Sequence, residues 1–144
     1  IDELNQRCSP LVITPHLGEF AKLTGINKDL IQSDFPNVMQ NFMDEYNHIA
    51  LIKQVPSCVF DQNQTIVNSS GNPGLATGGT GDVLAGMIAS FISQGISPFE
   101  ATSLATFIHG KASDEMVKEK GYRGQIASDL FDKIPGVITQ YENA

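Results

Sequence analysis

The sequence predicts an α/β fold with helices layered on a mostly parallel sheet, and three observations carry that expectation. Leu11-Val12-Ile13-Thr14 and His48-Ile49-Ala50-Leu51-Ile52-Lys53 are short apolar runs with little alternation, as in strands buried on both faces. Longer stretches between and after them repeat apolar residues at helical spacing. Five glycines, Gly71, Gly74, Gly78, Gly79 and Gly81, then break all regular patterning just ahead of such a helix. A loop of this kind leaves backbone N–H groups unpaired at the positive end of the helix dipole, which makes an anion site.

Taken in order, residues 1–9 read as a helix end or a loop, and the strand 11–14 is halted by Pro15. The polar turn that follows puts His16 at a strand C-terminal end, where α/β sheets place ligand-facing loops. Taken alone, a loop histidine such as His16 is more often a surface residue than a ligand contact. Glu19–Leu23 reads as a short helix ended by Gly25. Ser33 or Asp34 caps a helix to about Tyr46, with Pro36 in its first turn and Phe35, Val38, Met39, Phe42, Met43 and Tyr46 as its buried stripe. The strand 48–53 ends in a cation, Lys53, which by itself is a solvated strand-end lysine. Ser57–Phe60 and Gln64–Asn68 flank Asp61-Gln62-Asn63 as a hairpin.

After the glycine loop, Val83, Leu84, Met87, Ile88, Phe91 and Ile92 form the apolar face of a helix that stops near Gly95. Ser97-Pro98-Phe99-Glu100 reads as a capping box opening a helix to about Lys120, with Leu104, Ala105, Phe107, Ile108 and Ala112 facing inward. His109 on this helix reads as a packed or hydrogen-bonded histidine, because no second metal ligand stands four residues away. Gly121 closes the helix. Ser128 is expected to cap a last helical pair, interrupted near Pro135.

A length of 144 residues suits one domain, and 41% hydrophobic residues can build its core. The net charge of −7 argues against nucleic acid or an anionic membrane as partner, although helix N-termini and single lysines still admit an anionic nucleotide. No apolar run approaches the roughly 20 residues of a membrane span. Cys8 and Cys58 form neither a CxxC pair nor a disulfide framework, which points to a reducing, cytoplasmic setting. No stretch has the ligand spacing of a dedicated metal cage.

The chemistry centres on Asp82, at the lip of the glycine loop. The N–H groups of Gly79, Thr80 and Gly81 can hold a moving phosphate while the Asp82 carboxylate accepts a hydroxyl proton, so the stretch reads as a phosphoryl-transfer centre. Asp82 also suits a plain helix cap, and that alternative stays open. The loop is not a P-loop, because Thr80 stands where the lysine belongs. Nor is it a dinucleotide fingerprint, because Leu84 replaces the third glycine after Gly79-x-Gly81.

The run Asn72-Pro73-Gly74-Leu75-Ala76-Thr77-Gly78-Gly79-Thr80-Gly81-Asp82 resembles the signature of the NAD(P)H-hydrate dehydratases, members of the ribokinase-like superfamily. Thr14-Pro15-His16-Leu17-Gly18-Glu19 is similar to the same family's earlier motif. The resemblance implies a layered α/β/α fold of which residues 1–144 are the C-terminal part, with the N-terminal half of the domain as a missing partner. It implies that His16 and Asp82 contact hydrated NADH or NADPH, and that Asp82 is the catalytic base. Lys53 would reach the nucleotide phosphates, with Gln54, Val55, Pro56 and Ser57 beside it; Gln54 stands where the family has glycine. The hydrate would be phosphorylated by ADP or ATP and restored by loss of phosphate. ADP is favoured by Gly-Thr-Gly-Asp, with Mg²⁺ carried on the nucleotide and a homo-oligomeric assembly. Two alternatives remain: a thiazole- or pyrimidine-alcohol kinase of the same superfamily, and a nucleotide-binding module without catalysis.

Overall fold

The computed structural model describes residues 2–142, which fall in two compact units, Ile1–Val67 and Asn68–Ala144. The first unit runs α1 (Asp2–Asn5), β1 (Val12–Ile13), α2 (Leu17–Thr24), α3 (Lys28–Ser33), α4 (Phe35–Glu45), β2 (Ile49–Ile52), β3 (Cys58–Phe60) and β4 (Thr65–Val67). Its strands lie in the order β1-β2-β3-β4. β1 and β2 are parallel, joined through three helices, whereas β2–β3 and β3–β4 are antiparallel. The sheet is therefore mixed in its described part. The reason is local: the Asp61 carboxylate accepts the N–H groups of Asn63 and Gln64 and tightens the turn 61–64 into a hairpin.

Alternation along the strands decides which residues meet the helices. Ala50, Ile52, Cys58 and Phe60 join one core with Phe20, Ile31, Val38, Met39, Phe42, Met43 and Tyr46. Leu51 and Val59 belong to the other face and are equally buried, at 0% exposure, as unalternating apolar strands require. Phe42 meets Phe20 edge-on at 4.9 Å and stacks on Tyr46 at 5.0 Å, geometries that add to the area buried. β4 is exposed along its length.

Two helices depart from the sequence expectation. α3 is an added element, capped by Asn27, whose Oδ1 accepts the Asp29 N–H at 2.7 Å. Six residues with a single buried side chain, Ile31, give too short a pattern to stand out from a loop. Asp34 does occupy the N-cap of α4 but accepts no backbone N–H; its carboxylate takes the Asn37 side chain instead.

The second unit is helical: α5 (Thr80–Ser93), α6 (Pro98–Lys120) and α7 (Leu130–Glu142), with 3₁₀ turns at Pro73–Ala76 and Ala127–Asp129. Ile108, Ala112 and Met116 of α6 pack with Leu130 and Val137 of α7, and Val83, Met87 and Phe91 of α5 join them. Leu104, expected inside, is 38% exposed. α6 instead buries Thr102 and Thr106, whose hydroxyls donate to carbonyls four residues back and so need no outside partner. At its start the Ser97 hydroxyl accepts the Glu100 N–H and donates to the Glu100 carboxylate, half of the expected capping box. α7 is continuous through Pro135 rather than broken there. Proline removes one helical donor, and its exposed position leaves the facing carbonyl open to solvent. Asp129, not Ser128, does the capping: its carboxylate accepts the Ile126 N–H and pairs with Lys120.

Candidate functional site

Each unit carries one group of the residues singled out from sequence. In the first unit they gather at the C-terminal ends of β1 and β2. The Lys53 N–H donates to the Pro15 carbonyl at 2.8 Å, and His16 and Lys53 form a parallel bridge that continues the β1–β2 pairing. Strand pairing thus brings together two residues 37 positions apart in sequence (53 − 16). His16 is the N-cap of α2: its Nδ1 accepts the N–H groups of Gly18 and Glu19 at 3.0 and 3.1 Å. Because Nδ1 accepts, the neutral ring carries its proton on Nε2. A Cβ on residue 18 would stand 3.0 Å from His16 Cε1, so the glycine in this motif makes room for the ring.

Glu19 ties the group together, a role the sequence did not reveal. Its Oε2 accepts the His16 N–H at 2.8 Å, its Oε1 lies 3.4 Å from His16 Nε2, and Lys53 Nζ stands 3.9 Å from Oε2. The His16 amide, followed by the charges of Lys53, His16 and Lys22, holds the Glu19 carboxyl below its ordinary range. The carboxylate is exposed, so this geometry orients the side chains more than it stabilises the fold. Beyond Lys53 the chain bends outward: Gln54 and Ser57 are half-buried, Val55 is 95% exposed, and the Ser57 hydroxyl donates to the Gln54 carbonyl.

The second unit holds the glycine loop and Asp82. α5 begins at Thr80, so Asp82 is the third residue of its first turn, inside the helix rather than ahead of it. Gly79 is the N-cap with φ 88°, a conformation that favours glycine. Gly81 is helical and has no positive φ; the backbone requirement lies at Gly79. Asp82 and Val83 both donate to the Gly79 carbonyl, and the Thr80 N–H reaches the Thr77 carbonyl at 3.4 Å. Among the described residues the N–H groups of Gly78, Gly79 and Gly81 meet no acceptor. Three unpaired donors at the start of a 14-residue helix suit a phosphate oxygen.

The Asp82 side chain is exposed and lies at one side of a groove of about 530 Å³. Val83, Gly86, Met87 and Ser90 of α5 form one wall, and Phe131, Ile134 and Pro135 of α7 the other. Phe131, 61% exposed, belongs to no motif of the sequence. His109 is buried, as a packed histidine should be, and its Nε2 donates to the Thr80 carbonyl at 3.0 Å. Among the described residues no three His, Cys, Asp or Glu side chains stand close enough to hold a metal ion. Likewise, none of the described helices is long and apolar enough to cross a membrane.

Comparison with known proteins gives this geometry a family. The chain is 39% identical over 134 residues to the bifunctional NAD(P)H-hydrate repair enzyme of Moorella thermoacetica, covering 92% of this chain and 25% of that protein. The ADP/ATP-dependent NAD(P)H-hydrate dehydratase of Bacillus subtilis, co-crystallised with ATP and Mg²⁺ and soaked with coenzyme A, superposes with a TM-score of 0.87 at 26% identity. That match covers 96% of this chain and 53% of the other. A ribokinase-like superfamily protein of Enterococcus faecalis gives a TM-score of 0.77 at 28% identity, over 90% of this chain and 44% of its own. The chain thus spans about a quarter of the length of the curated relatives and about half that of the solved structures. The fold is ribokinase-like, a mixed four-stranded sheet with helices. The family model described as NAD(P)H-hydrate dehydratase matches residues 1–136, and the chain belongs to that family.

Proposed function

We propose that this chain is the C-terminal part of an NAD(P)H-hydrate dehydratase domain, a hydro-lyase that restores hydrated NADH and NADPH at the expense of a nucleotide. The observation that carries this reading is the set of unpaired N–H groups of Gly78, Gly79 and Gly81 beside the unpartnered carboxylate of Asp82. Phosphoryl transfer needs an anion cradle, charge stabilisation and an oriented hydroxyl more than covalent help. The amides hold the transferring group, and Asp82 takes the proton of the hydrate hydroxyl. As the hydroxyl oxygen bonds to the β-phosphorus of ADP, the bridging P–O bond breaks and AMP leaves. The C–O bond of the new ester then breaks and phosphate departs with its electron pair, while the adjacent ring carbon gives up a proton to solvent, so that the C=C bond of the nicotinamide ring is restored. A weak base suffices for this proton transfer, because in a loose transition state the hydroxyl loses its proton late.

Lys53 lies at the C-terminal end of β2, where α/β sheets place ligand-facing residues, which supports a contact to nucleotide phosphates, and the outward bend beyond it supports the same assignment for Gln54–Ser57. His16, with a proton on Nε2 and a 60% exposed side chain, suits a contact to a substrate oxygen. Mg²⁺ would be carried on the nucleotide, as its co-crystallisation with ATP in the Bacillus subtilis dehydratase supports. A complementary half of the domain and self-association belong to this reading; the exposed edge β4, with Val67 59% exposed, supports association. The free thiols Cys8 and Cys58 support a cytoplasmic setting.

The test is disappearance of spontaneously formed NADH hydrate in the presence of ADP or ATP, followed by absorbance of the restored ring. Turnover is expected with both, faster with ADP, and with AMP and phosphate as the products from ADP. Phosphorylation of a thiazole or pyrimidine alcohol without hydrate turnover would move the assignment to a kinase. Nucleotide binding without any turnover would make the chain a binding module.

The groove beside Asp82 belongs to the same reading: its apolar walls offer a stacking surface to a planar ring of substrate or nucleotide. Truncating Phe131 to Ala is expected to raise the KM of the ring-bearing ligand about tenfold, the loss of an aromatic contact of about 1.4 kcal/mol. Because Phe131 is 61% exposed, the melting temperature should stay within a degree or two. An unchanged KM for both substrates would take the groove out of the site.

A further inference from the structure

The glycine loop owes its shape to a polar brace that no motif announces. Asp114, half-buried on α6, receives two hydrogen bonds from the loop's first residues. Its Oδ2 accepts the Gly71 N–H at 3.0 Å and its Oδ1 accepts the Asn72 side-chain amide at 2.9 Å. Held in this way, Asn72 turns its own Oδ1 to the Gly74 N–H at 2.9 Å and to Gln125 Nε2 at 3.4 Å. Gln125 is 4% exposed and fixed in turn by the Ser113 hydroxyl, at 2.7 Å, and the Gly121 carbonyl, at 3.1 Å. The chain then passes through the 3₁₀ turn Pro73–Ala76. The Thr77 hydroxyl donates to the Gly74 carbonyl, and the buried Thr80 hydroxyl reaches the carbonyls of Leu75 and Thr77. At the far end His109 holds the Thr80 carbonyl.

The hydrogen bonds from Asn72 to Thr80 are half-buried, those of Ser113 with Gln125 and of His109 with Thr80 are buried, and only the one from Gly71 to Asp114 is exposed; a connected network of this kind fixes geometry. The fit is also steric: a Cβ on residue 74 would lie 2.6 Å from the Gln125 side chain, so Gly74 lets the brace close on the loop. The three open N–H groups stand four to seven residues beyond Gly74, with no side chain of their own to hold them (78 − 74 and 81 − 74). Their direction is set by what braces the turn before them.

We propose that Asp114 is a positioning residue of the phosphate site, acting through Asn72 to aim the N–H groups of Gly78, Gly79 and Gly81. This inference rests on the phosphoryl-transfer reading of that loop. In this role Asp114 acts through Gly71 and Asn72, its partners in the loop. Its two oxygens accept from two donors at once, which neither asparagine nor alanine can do: the amide nitrogen of an asparagine would face an N–H group. Asp114→Asn and Asp114→Ala should therefore behave alike, while Glu115→Gln, one residue along and paired with Lys118, serves as the control.

The experiment compares the three variants in the protein as it occurs, by kcat, by KM for hydrate and ADP, and by backbone amide hydrogen exchange of residues 71–81. Both Asp114 variants are expected to exchange at least tenfold faster across the loop, with the core of α6 unchanged. They are expected to turn over hydrate about 10–100-fold more slowly, with the KM for hydrate unaltered. Parent-like loop exchange together with parent-like kcat in folded Asp114→Asn overturns the proposal. If the parent itself turns over no hydrate, the phosphoryl-transfer reading falls separately, and loop exchange still decides whether Asp114 sets the geometry. A variant that loses protection throughout α6 as well would mark Asp114 as a general support of the helix and overturn its specific role.

Discussion

Replacing Asp82 with Asn is expected to lower hydrate turnover by about 10²–10⁴ while leaving the protein folded and able to bind nucleotide. Asparagine keeps the size and one acceptor oxygen but cannot take the hydroxyl proton. Structural losses should be small. Asp82 is exposed and lies in the first turn of α5, so its charge contributes to the helix by the dipole alone, about 0.3–1 kcal/mol. A loss of that size is a factor of about 2–5 in the folding equilibrium, far below the expected rate change, because each 1.4 kcal/mol corresponds to one decade. The measurements are kcat under saturating substrate, thermal unfolding and calorimetric titration with ADP. Turnover equal to that of the parent would remove Asp82 from catalysis and leave it as a helix-start carboxylate. Loss of ADP binding in a folded variant would place Asp82 in nucleotide binding rather than proton transfer.

Gly110→Ala is expected to destabilise the protein, although it adds only one methyl group to α6. A Cβ there would lie 2.7 Å from the Ser70 carbonyl carbon and 2.8 Å from the Gly71 nitrogen, and would also clash with Ser70 Oγ. Two of these atoms are backbone, so relief requires the chain to move rather than a side chain to turn. The Ser70 hydroxyl is already engaged with the Phe107 carbonyl at 2.8 Å, and Gly71 is bound to Asp114. Overpacking of this kind costs about 1–3 kcal/mol or more. Alanine's better helix propensity returns at most about 1 kcal/mol, so the clash wins. Gly136→Ala in α7 supplies the contrast, since nothing lies within 4 Å of its added Cβ and the propensity gain should appear unopposed. Denaturant unfolding of the two variants should move in opposite directions. Equal or higher stability of Gly110→Ala would mean that Ser70 and Gly71 do not approach α6 this closely.

The strands, the hairpin and the long helices were legible because each carries a repeating signal: unbroken apolar runs at 49–52, a polar turn at 61–63, and apolar periodicity through α5 and α6. So was the glycine loop, since glycines grouped before an apolar helix have few structural explanations. The family followed from two motifs in the right order, and the comparisons bear it out. Shorter or balanced elements escaped. α3 has one buried residue and no period, and Pro135 ends a helix by propensity yet sits in one at an exposed position where the missing donor costs little.

What sequence by itself determined, then, is the set of local conformations and the residues able to do chemistry, because backbone propensity and side-chain type are properties of neighbours in the chain. Which residues meet was decided by tertiary structure. Glu19 joins His16 to Lys53 only because β1 and β2 pair in parallel, a register no local signal encodes. Asp114 and Gln125 reach Asn72 from 42 and 53 positions away, and only the packing of α6 against the glycine loop brings them there. Hydrogen bonds between distant residues depend on where whole elements settle, and that is fixed by burial of their apolar faces rather than by the polar residues that profit from it.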